Sequence, residues 1–251
     1  MCYKQISVFS RKCFPFYLGK FFFILTLIFI FDNVFGDAQS QIKNNNSSHF
    51  INVSETDGVY VCEPVVATEK YDSQIARINT IRIKNILSAL SDKNCIVYFP
   101  AGNFYFDGAA DGWQASIETT GNFQTICGAG MNGTRLLQVS RLASSTIRIK
   151  HTGCSVENLF VGSADKSNEF KIEWENKPHQ TAIHLDGPLS TGDTWPLDPK
   201  IQNVNINSYG NNIVVNNYSR PFKTAIKITG SWLNVYVHTV WITDVFTAID
   251  I

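Results

Sequence analysis

Three copies of one short apolar pattern place a different ionisable side chain at the same point. Ala182-Ile183-His184-Leu185, Ala225-Ile226-Lys227-Ile228 and Ala248-Ile249-Asp250-Ile251 all read Ala-Ile-x-apolar, with x being His, Lys and Asp. In an extended strand x points away from the isoleucine before it. If the copies stack, an imidazole, an ammonium and a carboxylate form one outward row. Such a row offers proton transfer by Asp250, anion binding by Lys227 and a polar contact from His184. Lys227 and Asp250 one turn apart also suit a plain surface ion pair, worth under ~1 kcal/mol.

A second unit supplies flatter chemistry. Asn158-Leu159-Phe160-Val161 recurs as Asn203-Val204-Asn205-Ile206 and Asn234-Val235-Tyr236-Val237, with Thr239-Val240-Trp241-Ile242 as a looser copy. Its outward row is Phe160, Asn205 and Trp241. The Trp241 ring offers a face on which a sugar could stack. Between the copies, the loop 187–200 holds Asp193, Trp195 and Asp198 among Pro188, Pro196 and Pro199, a stiff candidate groove wall with Trp195 as its contact. Glu173 and Glu175 flank Trp174 in the preceding insertion, and carboxylate pairs at the right separation serve glycosidases. There is no CxxC and no HExxH, so no zinc site is expected.

The elements that must hold these residues follow from period and punctuation. Asp72 or Ser73 caps a helix running to about Leu90, with Ile75, Ile78, Ile83, Ile86, Leu87 and Leu90 on one face and Ile81 off it. One short strand, Val59–Cys62, precedes the helix, and others follow it, among them Cys95–Phe99 and Phe104–Phe106, separated by Gly, Asn, Ser and Pro. Ala225 to Ala248 spans 23 residues and holds three apolar-x-apolar runs, the size of one coil of a parallel β-helix. Ala182 to Ala225 spans 43, the excess falling in insertions at corners. A rival phasing makes His184, Asn205, Lys227 and Asp250 successive turns. The expected fold is all-β, a right-handed parallel β-helix with an N-terminal capping α-helix.

The first 36 residues read as a secretory signal: Lys4, Arg11, Lys12 and Lys20, then the apolar run 21–31, then Val34-Phe35-Gly36. That run is shorter than the ~20 residues of a bilayer span, so no stable membrane span is expected after cleavage. Residues 37–56 read as a flexible lead-in and 57–251 as the β-helix. Basic and acidic residues balance at 21 each over the whole chain, which gives no footprint for nucleic acid. Outside the cell, Cys62, Cys95, Cys127 and Cys154 allow two disulfides in any of three pairings; buried free thiols at Cys95 and Cys127 read equally well.

The helix followed by Ile96-Val97-Tyr98-Phe99-Pro100-Ala101-Gly102-Asn103-Phe104-Tyr105-Phe106, then Ile126-Cys127-Gly128-Ala129-Gly130-Met131-Asn132-Gly133-Thr134-Arg135-Leu136, resembles the cap and first coils of the pectate-lyase-like superfamily, the domain of rhamnogalacturonases, sugar epimerases and phage tailspikes. The resemblance covers about 59–137. The signal segment implies an exported protein, secreted or held at the cell surface or in the periplasm. The resemblance implies a polysaccharide partner and a lyase or hydrolase acting on an acidic glycan. The competing expectation is a non-catalytic adhesin or glycan-binding surface protein. Gly-His-Gly and Asn-Thr-Asp of polygalacturonases are missing. Val240-Trp241-Ile242-Thr243-Asp244 is similar to the "VWIDH" of calcium-dependent pectate lyases, with Thr243 extra and the His lacking. Asp244 is therefore a candidate catalytic or calcium-contacting carboxylate by that resemblance alone, and no other cofactor is expected. Because the last repeat ends at Ile251 with no cap, the open end is expected either to continue in further coils or to dock on another chain, as in a homo-oligomer.

Overall fold

Parallel pairing runs through every strand contact among the described residues. The structure, a computed structural model, describes residues 49–55, 63–107, 115–139, 143–163, 181–188, 198–207, 222–243, 245 and 247–251. All belong to one of the two units into which the chain divides, Ser47–Ile251; the other, Met1–Asn46, and with it the expected signal segment, lies outside the described residues. The expected strand Val59–Cys62 lies outside them too.

The single helix among the described residues, α1 (Ser73–Ala89), starts where Asp72 accepts from the backbone N–H groups of Gln74 (2.8 Å) and Ile75 (3.0 Å). Ile83, Ile86, Leu87 and Leu90 are buried and Ile81 is exposed, as its period requires. Ile75 and Ile78 are only half-buried, a correction to the expected face. Their place in the core contact is taken by Ala76, Asn79 and Thr80. Asn79 brackets Val66, donating to its carbonyl and accepting from its N–H, both at 2.8 Å, and also donates to the Tyr105 carbonyl. Thr80 accepts from the Asp107 N–H at 2.9 Å. These polar groups are buried because each is satisfied. They turn the helix so that it packs on β3 (Gly102–Phe106) and β4 (Ala115–Glu118).

The remaining strands are β1 (His49–Asn52), β2 (Cys95–Phe99), β5 (Gln124–Gly128), β6 (Thr134–Gln138), β7 (Ser145–Ile149), β8 (Ser155–Ser163), β9 (Thr181–Asp186), β10 (Lys200–Asn207), β11 (Thr224–Thr229), β12 (Tyr236–Thr243) and β13 (Thr247–Asp250). One sheet runs β1-β2-β5-β8-β10-β12, with β3 joined through β6 to β8; the other runs β4-β7-β9-β11-β13. β1 falls inside the stretch whose polar composition reads as a lead-in. Ile51 pairs with Val97 there and is buried, and that contact outweighs the composition around it.

Inward side chains stack in columns. Ile117, Ile147, Ile183, Ile226 and Ile249 are in register across the second sheet. The first four are fully buried, whereas Ile249, on the last strand, is 45% exposed. Across the first sheet the column is Ile51, Val97, Ile126, Val156, Ile201 and Val237. Both columns feed one core, in which Phe99 packs edge-on against Phe104 and Phe106 with ring centroids at 5.2 and 6.2 Å. Ile226 and Ile249 are 23 residues apart and in register, as the repeat requires. Asn205 pairs with Phe160 and Trp241 in the other sheet, which excludes the rival phasing.

A left-handed residue sits within each of β8, β10 and β12: Asn158 (φ 56°), Asn203 (φ 52°) and Thr239 (φ 52°). They lie at the same register position, and Asn203 Nδ2 donates to Asn158 Oδ1 at 3.0 Å. Thr239–Ile242, the looser copy, is thus the register partner of Asn203–Ile206. Asn234 is a separate left-handed residue before β12. Instead of three short strands, the 23-residue repeat has two of its apolar runs fused into β12 on either side of Thr239. One left-handed residue redirects the chain without ending the pairing.

Candidate functional site

The outer face of the second sheet carries the expected row and more. His184 is in register with Lys227, and Lys227 with Asp250. The row continues backward through Arg148 to Glu118. Parallel strands stand about 4.8 Å apart, so five ionisable side chains form a column on neighbouring strands. A second column, two residues along each strand, contains Lys150, Asp186 and Thr229. Lys227 and Asp250 face each other in register, yet make no ion pair within 4.0 Å among the described residues; nor does Lys227 pair with any other described carboxylate.

Arg148 is the anchor. Its Nη1 meets Glu118 Oε2 at 3.2 Å, and its Nε donates to Asp186 Oδ2 at 2.7 Å while Nη2 contacts the same oxygen. Lys150 Nζ reaches the other Glu118 oxygen at 3.3 Å. Asp186 Oδ1 accepts from Thr229 Oγ1 at 3.0 Å, and Thr229 Oγ1 lies 2.7 Å from His184 Nε2. Burial alone would raise the Asp186 pKa, but the hydrogen bonds from Arg148 and Thr229 outweigh it and hold the carboxyl below its usual value. His184 moves the same way for another reason. Burial disfavours its charged form, Arg148 and Lys227 add to the effect, and Asp186 offsets only part of it, so its pKa falls below 6.5. The site therefore presents a carboxylate fixed as an anion, a neutral imidazole and an ammonium side by side.

Glu118, Arg148, Asp186 and Thr229 are absent from the sequence-derived candidates. The signal for Arg148 lies in Ser145-Thr146-Ile147-Arg148-Ile149, which follows the same small-small-Ile-x-apolar pattern as Thr181–Leu185 and Thr224–Ile228. Asp186 and Thr229 each stand two residues beyond the x position, where the same outward phase continues.

Trp241 and Asn205 lie on the outer face of the other sheet, with the core between them and His184. They are adjacent, as expected, and Trp241 is 64% exposed. Phe160, the third member of that row, is instead buried. It packs in a side cluster with Tyr105, Leu137 and Val139, and the Arg135 guanidinium lies 5.8 Å from its ring centroid. Trp195 and Asp244, like Asp193, Glu173 and Glu175, lie outside the described residues. Among the described residues no three His, Cys, Asp or Glu side chains gather as a metal group, and no helix is long and apolar enough to cross a membrane. Cys95, Cys127 and Cys154 are free thiols, and Cys62 lies outside the described residues.

Compared with family models, curated proteins and solved structures, the chain returned no match.

Proposed function

We propose that the two sheets are faces of one right-handed parallel β-helix of the pectate-lyase-like kind, closed at its first end by α1. We propose further that the outer face of the second sheet is the glycan site of an exported lyase acting on an acidic polysaccharide. One observation carries this reading: a neutral imidazole, His184, stands in register beside Lys227, an ammonium with no ion-pair partner among the described residues. Cleavage of a uronate chain by β-elimination needs a cation and a base, and these two groups suit those roles. A cation binds the uronate carboxylate and makes the neighbouring C–H acidic. A base then removes that proton, a carbon–carbon double bond forms, the glycosidic C–O bond breaks, and the departing oxygen takes a proton from water. Lys227 supplies the cation and His184 the base. Asp250, next along the row, is placed to accept sugar hydroxyls.

Hydrolysis fits less well. It requires one carboxyl held protonated as general acid, and Asp186 is held in the opposite state by Arg148 and Thr229. A second reading, glycan binding without cleavage, draws on the exposed Trp241 beside Asn205. Incubation with a panel of uronate polysaccharides tests these readings together. Ultraviolet-absorbing unsaturated ends are expected. New reducing ends without unsaturation would make it a hydrolase, and retention on the glycans with no new ends would make it a binding protein.

A further inference from the structure

The row of contacts behind His184 fixes where its proton sits. Thr229 Oγ1 has one proton, and two neighbours compete for it: Asp186 Oδ1 at 3.0 Å and His184 Nε2 at 2.7 Å. Asp186 is tied to Arg148 through Oδ2. As an ionised carboxylate it can only accept hydrogen bonds. If Thr229 gave its proton to the imidazole, two bare oxygens would face each other at 3.0 Å. Thr229 must therefore donate to Asp186, which leaves its lone pair to accept from Nε2–H of His184. A neutral imidazole carries one N–H, so the remaining lone pair is on Nδ1.

We propose that Asp186 and Thr229 are positioning residues that hold neutral His184 as the Nε2–H tautomer and so make Nδ1 the proton-accepting atom of the site. The role of Nδ1 as base rests on the lyase reading above; the tautomer itself does not. The groups facing the ring are Arg148 on β7, Lys227 and Thr229 on β11, and Asp186 on the ring's own strand. Of these, only the Thr229–Asp186 pair bonds to a ring nitrogen. When Nδ1 takes a proton the imidazolium keeps its Nε2–H bond to Thr229. The Asp186 charge, relayed through the hydroxyl, then stabilises the new cation without itself being protonated, since Arg148 continues to hold it. A direct imidazolium–carboxylate contact is longer, with Nε2 to Oδ1 at 3.9 Å, which is why the hydroxyl is needed between them.

The experiment is nitrogen-resolved NMR of the full chain labelled with ¹⁵N-histidine at neutral pH, with His184→Gln used to assign its signals. Wild type should show protonated Nε2 and bare Nδ1. Thr229→Val, which keeps the shape and removes the hydroxyl, should give a mixed tautomer population, and Thr229→Ser should restore the single form. Asp186→Asn provides a second route, because an amide can donate to Thr229 and reverse the hydroxyl; it too should mix the tautomers. A wild-type Nδ1–H signal, or an unchanged tautomer in both Thr229→Val and Asp186→Asn, would overturn the proposal. With a cleavable uronate glycan, Thr229→Val should lower kcat about tenfold with KM unchanged, and Thr229→Ser should recover it. A correct tautomer with no cleavage of any uronate would sink the lyase reading and leave the positioning intact.

Discussion

Thr239 is the one β-branched member of the left-handed column, and replacing it with Asn should make the protein more stable. The left-handed conformation costs an ordinary L-residue about 1–2 kcal/mol, and a β-branched residue there is an outlier. Asn occupies it more readily because its short amide bonds locally. Asn203 already donates to Asn158 at 3.0 Å. In Thr239→Asn a new Nδ2 would face Asn203 Oδ1 in the same geometry, adding one net hydrogen bond of about 1 kcal/mol. Against this, the exposed contact of Thr239 Oγ1 with His238 Nδ1 at 2.9 Å is lost, which offsets about 0.5 kcal/mol. The balance is a gain of about 1.5 kcal/mol, or a Tm rise of about 3–6 °C for a chain of this size. Differential scanning calorimetry reads the global effect. Amide hydrogen exchange at Val240 and Ile242 reads it locally, since β12 lies near the end of the stack and can open by itself. Thr239→Ala is the control: it relieves the β-branch, supplies no amide, and should change stability by less than about 0.5 kcal/mol. If Thr239→Asn were no more stable than Thr239→Ala by both measures, the ladder would contribute nothing at this position and the reasoning would fail.

Gln124 ties the end of α1 to the stack, donating to the carbonyls of Leu87 and Leu90 at 3.1 Å and accepting from the N–H of Thr120 at 2.8 Å. Gln124→Leu removes these bonds, while the Leu87 carbonyl keeps the Thr120 hydroxyl and the Leu90 N–H, and the Leu90 carbonyl keeps the Lys93 N–H. It should cost about 2 kcal/mol in urea unfolding. Burial pushes the Cys95 thiol up to about 12 and the Cys154 thiol up to about 11. Neither should be alkylated at pH 8 in the native protein, and both should react fully once it is unfolded. Acid should weaken the fold in two stages. His151 and His184 are both held below their usual 6.5, burial being the main cause. Their stabilising contribution is complete above pH 6.5 and declines as pH falls from there through their lowered values. Asp186 follows below its usual 3.8, its contribution being lost as pH drops through the depressed value. His184→Gln, which cannot be protonated, should lose less stability than wild type between pH 7.5 and 5.5, measured as the shift in urea midpoint.

The parallel strands and the row of His184, Lys227 and Asp250 are legible in the sequence because a strand has a period of two and the repeat keeps Ile at the inward place in each copy. The same rule makes Trp241 and Asn205 neighbours from their spacing alone. Other features depend on contacts that no local pattern carries. Asn79 and Thr80 look like surface residues of a helix until Val66 and Asp107 arrive to satisfy them. Phe160 has the phase of an outward residue, and becomes buried only because Tyr105 and Leu137 from earlier strands gather round it. Arg148 is masked because its strand has Thr146 where the others have Ala, and Asp186 because it falls beyond the repeated x position. The polarity around β1 conceals a strand whose partner, β2, lies more than forty residues away.

The columns of isoleucine fix the strands and set no single length for the links between them. From Ile226 to Ile249 the next strand of this sheet is reached in 23 residues, while from Ile183 to Ile226 it takes 43, and both land in the same register. Doubling a flexible link costs only about 0.6 kcal/mol of closure entropy, less than the loss of a single buried methylene. The scaffold and its ornaments can therefore change on separate schedules. An inserted segment after β9 or β10 can lengthen, shorten or acquire new chemistry while Arg148, His184 and Lys227 keep their spacing, so that the surroundings of this face can drift without the face itself having to be rebuilt.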